Sequence, residues 1–266
     1  TTQTMSILDQ VESRNIPHML WSWTPLELTK GLKEYRCWVN YGIEGQHIAE
    51  YCIAQSPKRV ACLYLNILGA KVQCNDVIVP ALQEYNPDIE LYIEEYPIET
   101  TNFRDIALKV KEFNPDVIVL SGFKDNILNA TRDFSAYNID KNKIICSMDL
   151  LDAINEASNE ILEGYHVTAP AFNIKDLRND YTQKWIDSFI AKFGHQPLYT
   201  EAYGYDAMMA LIEAANIMQR DKCSLDVALS CVNLQGITGP LRFEDNGELE
   251  DNLHIGVFHN GILYAE

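Results

Sequence analysis

Basic charge is scarce in this chain: its 266 residues carry 21 lysines and arginines against 38 aspartates and glutamates, a formal net charge of −17. Phosphate backbones are held by basic surfaces, so nucleic acid is excluded as a partner. The acids are spread along the chain rather than run together, which solubility alone explains, and they select no cationic ligand by themselves. No run reaches the roughly eighteen apolar residues of a membrane-spanning helix, and no basic-then-apolar secretion signal opens the chain. The start is abrupt. Thr1 to Met5 is polar and precedes any strand, so a removed leader or a fragment is expected.

Catalytic signatures are missing too. The sequence has no G-x-G-x-x-G or G-x-x-x-x-G-K-[ST] phosphate loop, no G-x-S-x-G elbow and no H-E-x-x-H helix. His18, His47, His166, His195, His254 and His259 stand singly, as surface or satisfied structural histidines do. Seven cysteines, Cys37, Cys52, Cys62, Cys74, Cys146, Cys223 and Cys231, match no metal knuckle or paired-thiol spacing. Cys62 and Cys146 sit in apolar runs, where a thiol packs as a small hydrophobe. Cys223 and Cys231, if on one helix, are about 12 Å apart along it, too far for a disulfide. Neighbouring carboxylates at Glu94, Glu95 and Glu99 read as solvated strand ends rather than acid/base pairs. The tripeptide Asn129-Ala130-Thr131 is a glycosylation sequon, but it falls inside a predicted helix and is discounted. No metal, no cofactor and no enzyme activity is expected.

What is present is alternation. With 47% apolar residues the chain can bury one large core or two modest ones. Helical spacing over Ser6 to Glu12 is followed by a strand at Ile16 to Trp21, a helix at Glu44 to Gln55 and a strand at Arg59 to Leu65. Then come a helix at Val77 to Tyr85, a strand at Ile89 to Tyr96, a helix at Phe103 to Phe113 and a strand at Val117 to Leu120. A helix at Asn126 to Tyr137, a strand at Lys143 to Cys146, a helix near Leu150 to Leu162 and a strand at Tyr165 to Thr168 complete the series. Such βαβα order predicts an α/β fold with a parallel sheet covered by helices. After Pro170 the pattern turns to consecutive helices, Asp176 to Phe193, Glu201 to Gln219 and Leu225 to Asn233. A β tail follows: Leu241 to Phe243, Leu253 to Phe258 and Ile262 to Tyr264, with Asn260-Gly261 a two-residue hairpin turn. The order predicts two lobes whose chain crosses between them more than once.

Three stretches, taken together and in order, carry a resemblance. The first is Ile16-Pro17-His18-Met19-Leu20-Trp21-Ser22-Trp23-Thr24-Pro25-Leu26-Glu27-Leu28-Thr29, followed by Tyr35-Arg36. The second is Thr101-Asn102-Phe103, then Asn114-Pro115-Asp116-Val117-Ile118-Val119. The third and most specific is Glu201-Ala202-Tyr203-Gly204-Tyr205-Asp206-Ala207, then Gly239-Pro240-Leu241-Arg242-Phe243-Glu244-Asp245-Asn246-Gly247 and the Gly256-Val257-Phe258 ending. Their collinearity over the whole chain resembles the branched-chain amino-acid (Leu/Ile/Val) receptors, a family of type I periplasmic solute-binding proteins of ABC importers. The family's N-terminal βα units, which carry part of its ligand site, would precede the loop that matches Thr1-Thr2.

That resemblance implies a two-lobe type I periplasmic-binding-protein fold, with parallel sheets flanked by helices and the first lobe incomplete at its N-terminus. The lobes are expected at 1–43 plus 172–252 and at 44–171 plus 253–266. A small solute, an amino acid or related small carboxylate, would be held as the lobes close like a hinge, then delivered to a membrane ABC permease. The chain would work in the periplasm or another extracytoplasmic space. Ligand-binding residues carried over are Thr1, Thr2, Trp21, Ser22, Trp23 and Thr24 on the first lobe, and Phe123 and Asp149 on the second. The Ser22-Trp23-Thr24 loop, with a Thr hydroxyl and free N–H groups at a helix start, suits a carboxylate. Phe123 stands where the family often has an aromatic residue, and Asp149 where it often has an acid that pairs with the ligand's amine. A turn or helix-cap role for Asp149 is the competing reading. Trp21 and Trp23 depart from the small residues usual in the loop; they either narrow the cleft, stack on the ligand or pack beneath the loop. Leu68, before Gly69, replaces a common ligand-facing tyrosine. The alternative function is a ligand-sensing extracytoplasmic domain of a signalling receptor, or a scaffold with a degenerate site.

Overall fold

The computed structural model describes residues 2–14, 16–23 and 34–266. Along the chain run α1 (Thr2–Arg14), β1 (His18–Leu20), β2 (Glu34–Arg36), α2 (Tyr41–Ala54), β3 (Arg59–Leu65) and α3 (Leu68–Val72). A π-helical turn, Gln73–Ile78, leads into α4 (Val79–Tyr85), then β4 (Glu90–Tyr96), α5 (Arg104–Phe113), β5 (Val117–Ser121) and α6 (Lys124–Ala136). After β6 (Ile144–Cys146) comes a 3-10 turn, Met148–Ala153, then α7 (Asn159–Leu162) and β7 (His166–Pro170). The remainder is α8 (Asp180–Phe193), α9 (Tyr199–Asp221), α10 (Leu225–Ser230), β8 (Asn233–Gln235), β9 (Pro240–Arg242), β10 (Leu253–His259) and β11 (Ile262–Ala265).

The chain divides into two compact units. One comprises Thr1–Ile43, Pro170–Phe172 and Arg178–Asn252; the other comprises Glu44–Ala169, Asn173–Leu177 and Leu253–Glu266. The second unit is built on a seven-stranded sheet in the order β11-β10-β7-β6-β5-β3-β4. Pairings β3·β4, β3·β5, β5·β6 and β6·β7 are parallel, and the β10·β11 hairpin is antiparallel. The interior strands read as continuous apolar runs because both of their faces are covered. Val117 to Ser121 is buried at every position, and Val60 to Leu65 likewise. Each fully covered Val, Leu or Ile there contributes about 1.5–3 kcal/mol of transfer free energy. Edge strand β4 instead exposes residues such as Glu90, Ile93 and Glu95. Its acids are solvated and ion-paired, Glu94 with Lys109 at 3.1 Å and Glu95 with Lys71 at 3.0 Å.

The sheet has a switch point. From β3 the chain goes to β4 on one side and then to β5 on the other, so a crevice opens at the carboxyl ends of β3 and β5, where open α/β sheets place ligands. The predicted Asn260-Gly261 turn is present, both residues having positive φ (52° and 75°) as the tight hairpin demands.

The first unit holds α1, α8, α9 and α10 and two small sheets, parallel β1·β2 and antiparallel β8·β9. Arg36 is a buried cation of this unit. Its Nε lies 2.7 Å from Glu248 Oε2, and its terminal nitrogen donates to the Ser22 carbonyl at 2.6 Å.

Three predicted elements differ. The helix expected from Val77 begins at Leu68 and passes through the π turn. Polar Gln73 is wholly buried there, so the apolar period breaks where the packing continues. The helix expected near Leu150 to Leu162 is a 3-10 turn and a single four-residue helix. The end of the helix expected over Leu225 to Asn233 is strand β8, where Asn233 pairs with Arg242, a tertiary partner that local spacing does not reveal. Cys62 and Cys146 are core as expected, and all seven cysteines are thiols. The sequon lies within α6, with Ala130 and Thr131 buried.

Candidate functional site

In the second unit, the loops at the carboxyl ends of the strands converge on one hydroxyl. Ser147, which ends the β6 run, accepts from the Gly122 N–H at 3.4 Å and sits 3.3 Å from both the Gly122 carbonyl and Asp149 Oδ2. Gly122 follows β5 and leads straight into Phe123, the residue before α6. Phe123 and Asp149 are thereby brought to the same end of the sheet. Phe123 is 43% exposed, its ring unclaimed by the core. A Cβ at Gly122 would collide with the Tyr96 hydroxyl, which donates to the Ser121 carbonyl at 2.6 Å, so glycine fits this position best. Leu68, the first residue of α3, is exposed at the carboxyl end of β3.

Asp149 lies in the first turn of the 3-10 segment and is partly exposed. Its pKa is raised to about 8: burial is the chief cause, and the negative charges of Glu44 and Asp152 add to it. The Ser147 hydrogen bond works in the opposite direction. Among the described residues the charged neighbours of Asp149 are acids, so its carboxyl is favoured in the neutral form unless a cation joins it.

Behind it lies a group that the sequence pattern hides. Glu44, in the first turn of α2, is buried. Its Oε1 accepts from the Met148 N–H at 2.7 Å and the Thr168 hydroxyl at 2.6 Å; its Oε2 accepts from Gln73 Nε2 at 2.9 Å. Gln73 in turn accepts from the Ser121 hydroxyl at 3.3 Å. Burial raises the Glu44 pKa, partly offset by the bonds from Thr168, Met148 and Gln73 and by the nearby His47. One acid therefore links α2, the π turn, β5, the 3-10 turn after β6 and strand β7. Reading Glu44 as one polar position in a helical pattern missed this. The available signal was a serine or threonine closing each apolar strand run, at Ser121, Ser147 and Thr168.

The residues predicted on the first unit are described by themselves. Trp21 is 55% exposed and packs edge-on against Trp38 at 5.5 Å; Trp38 stacks in turn on Tyr199 and Tyr203. Ser22 is placed by the Arg36 bond to its carbonyl. Trp23 packs edge-on against Tyr41 at 6.1 Å. Both indoles thus have packing partners, and Trp21 also keeps an open face. Thr2 opens α1 with its side chain outside the described structure, and Thr1, Thr24 and the segment through Thr29 lie outside the described residues.

A concave region of about 640 Å³ in the second unit is lined by Leu128, Thr131 and Arg132 of α6 and by Lys141, Glu156 and Ile161. Among the described residues no group of three or more His, Cys, Asp or Glu could hold a metal ion, and no helix is long and apolar enough to cross a membrane.

Comparison with the curated proteins returns no match. Solved structures share the fold at low identity. A leucine-binding protein, LivK, of Thermotoga maritima superposes with a TM-score of 0.85 at 20% identity, over 100% of this chain and 76% of that one. The substrate-binding protein LivJ of Streptococcus pneumoniae, solved with isoleucine, gives 0.81 at 19%, over 98% and 75%. A Rhodopseudomonas palustris ABC-transporter solute-binding protein, solved with 3,4-dihydroxybenzoic acid, gives 0.83 at 15%, over 100% and 74%. The periplasmic binding protein family model matches residues 1–258. The mostly parallel sheet of the second unit and its flanking helices are those of the type I fold, and the chain belongs to the periplasmic binding protein family.

Proposed function

We propose that this protein binds a small extracytoplasmic solute, an amino acid or a related small carboxylate, and presents it to the membrane permease of an ABC importer. The observation that carries the ligand class is Asp149: a carboxyl at the same end of the sheet as exposed Phe123, with no cationic partner among the described residues. A ligand ammonium supplies that partner, and an aromatic or aliphatic side chain covers Phe123. The leucine-binding and isoleucine-bound relatives favour an amino acid over the dihydroxybenzoate type, which has no amine to offer Asp149. Thr1, Thr2, Trp21, Ser22, Trp23 and Thr24 are proposed as the first unit's ligand-binding residues, with the Ser22-Trp23-Thr24 loop serving the carboxylate end. The proposed activity is binding, with closure on the ligand, rather than turnover.

Thermal unfolding against a panel of amino acids, amides and aromatic carboxylates tests this. A ligand at a hundred times its Kd adds about 2.7 kcal/mol, so a true ligand raises Tm clearly, and Asp149→Ala abolishes the shift for amine-bearing ligands. No shift for any compound, with the chain folded, would replace this reading with a sensor or scaffold whose site is degenerate.

A further inference from the structure

The 3-10 turn Met148–Ala153 packs against α6, but the chain beyond it, on the way into α7, leaves a gap of about 640 Å³ against the same helix. Protein interiors are close-packed and hold few voids larger than a water molecule, whereas a gap of this size falls in the range of small-molecule sites. One wall is a single stripe of α6, on which Leu128, Thr131 and Ser135 recur at helical spacing; the other carries Ala157 and Ile161. Two lysines join the surrounding elements. Lys124 Nζ, at the start of α6, pairs with Glu156 at 2.7 Å. Lys141 Nζ, from the turn after α6, donates to the Glu160 and Ile161 carbonyls at 2.7 and 3.4 Å and stands 5.8 Å from the centre of the Tyr165 ring. These contacts are polar, and they leave apolar side chains incompletely covered: Ile161 is 40% exposed and Leu128 is half-buried.

We propose that this gap is a second ligand site, which takes an uncharged, mainly apolar small molecule with one hydrogen-bonding group. The charges of the lining argue for the uncharged class. Arg132 and Lys141 balance Glu156 and Glu160 there, in a chain whose net charge is −17. Arg132 already pairs with Asp133 at 3.2 Å, Glu156 with Lys124, and Lys141 with the two carbonyls. Glu160 is exposed to water, where an added ion pair contributes little. Leu128, Ala157 and Ile161 supply the apolar cover. The Thr131 hydroxyl is spent on the Ile127 carbonyl at 2.8 Å, while the Ser135 hydroxyl makes no hydrogen bond among the described residues, so Ser135 is the polar handle. None of these residues belongs to the proposed solute site, and the second site stands whether or not that reading holds.

Two fluorescent probes of one skeleton test this on the whole chain: phenylnaphthylamine, which is uncharged, and anilinonaphthalene sulfonate, which is anionic. Phenylnaphthylamine is expected to bind with one-to-one stoichiometry, to shift the NMR methyl signals of Leu128, Ala157 and Ile161, and to bind about tenfold more tightly than the sulfonate. Ala157→Trp fills the gap and weakens phenylnaphthylamine about tenfold or more, while any Tm shift that a solute of the panel gives is retained. Should Ala157→Trp fail to fold, Ile161→Ser removes apolar cover without adding bulk and weakens the probe likewise, and the wild-type methyl map locates the probe without a variant. No binding of phenylnaphthylamine, or methyl shifts confined to other parts of the chain, overturns the proposal. Tighter binding of the sulfonate overturns the uncharged class. A dimer seen by light scattering and lost in Ala157→Trp makes a second copy of the chain the occupant, and also overturns it.

Discussion

Asp206 of α9 holds the backbone of Ile237 and Thr238 with both carboxylate oxygens: Oδ1 accepts the Ile237 N–H, and Oδ2 accepts the Thr238 N–H and hydroxyl, each at 2.8 Å. The stretches Tyr203-Gly204-Tyr205-Asp206 and Gly236-Ile237-Thr238-Gly239, some thirty residues apart, are thus one structural device. Replacing Asp206 by Ala strands two backbone donors in the interior, at about 1–3 kcal/mol each. Urea unfolding should show a midpoint lowered accordingly, with Asp206→Asn intermediate because one acceptor oxygen remains.

Arg36 and Glu248 form a buried pair, with side chains 1% and 6% exposed. Arg36→Met leaves Glu248 charged and unpartnered, at a cost of about 3–5 kcal/mol. It also frees the Ser22 carbonyl that Arg36 holds. Adding Glu248→Leu should recover most of the loss, because two apolar side chains replace two charges; chemical denaturation of the single and double variants measures the coupling. A double variant no better than Arg36→Met would show that the carbonyl bond, not the ion pair, dominates.

Gly122 and the Tyr96 hydroxyl exclude each other's enlargement. Gly122→Ala is expected to cost about 1–3 kcal/mol by overpacking. Tyr96→Phe removes the colliding oxygen and forfeits one hydrogen bond to Ser121, about 1 kcal/mol. Combined, the two changes should cost less than their sum.

Asp149 links stability to pH. Its folded-state pKa of about 8 lies above the ordinary aspartate value of about 3.9, so the folded protein favours the neutral acid. The stabilisation is complete below the ordinary value and is lost as pH rises through the folded one. Wild-type Tm should therefore fall relative to Asp149→Asn between about pH 4 and 8, after which the two curves run parallel. Curves parallel throughout would show that Asp149 is ionised in the empty site.

Alternating apolar runs and helical spacing determine the parallel sheet by themselves, since each run must be buried on both faces and can be covered only by the helices between them. Asn260-Gly261 likewise dictates its hairpin locally, through backbone freedom at two adjacent residues. Phe123 and Asp149 were singled out through the family resemblance, and the structure places them just past the carboxyl ends of β5 and β6. Glu44 was not. Its partners Gln73, Met148 and Thr168 lie 29, 104 and 124 residues away, and a lone glutamate in a helical period looks the same whether it faces water or the interior. Only the tertiary structure decided that it is buried, by drawing the ends of separate elements together around one carboxylate and supplying the donors that make its burial tolerable.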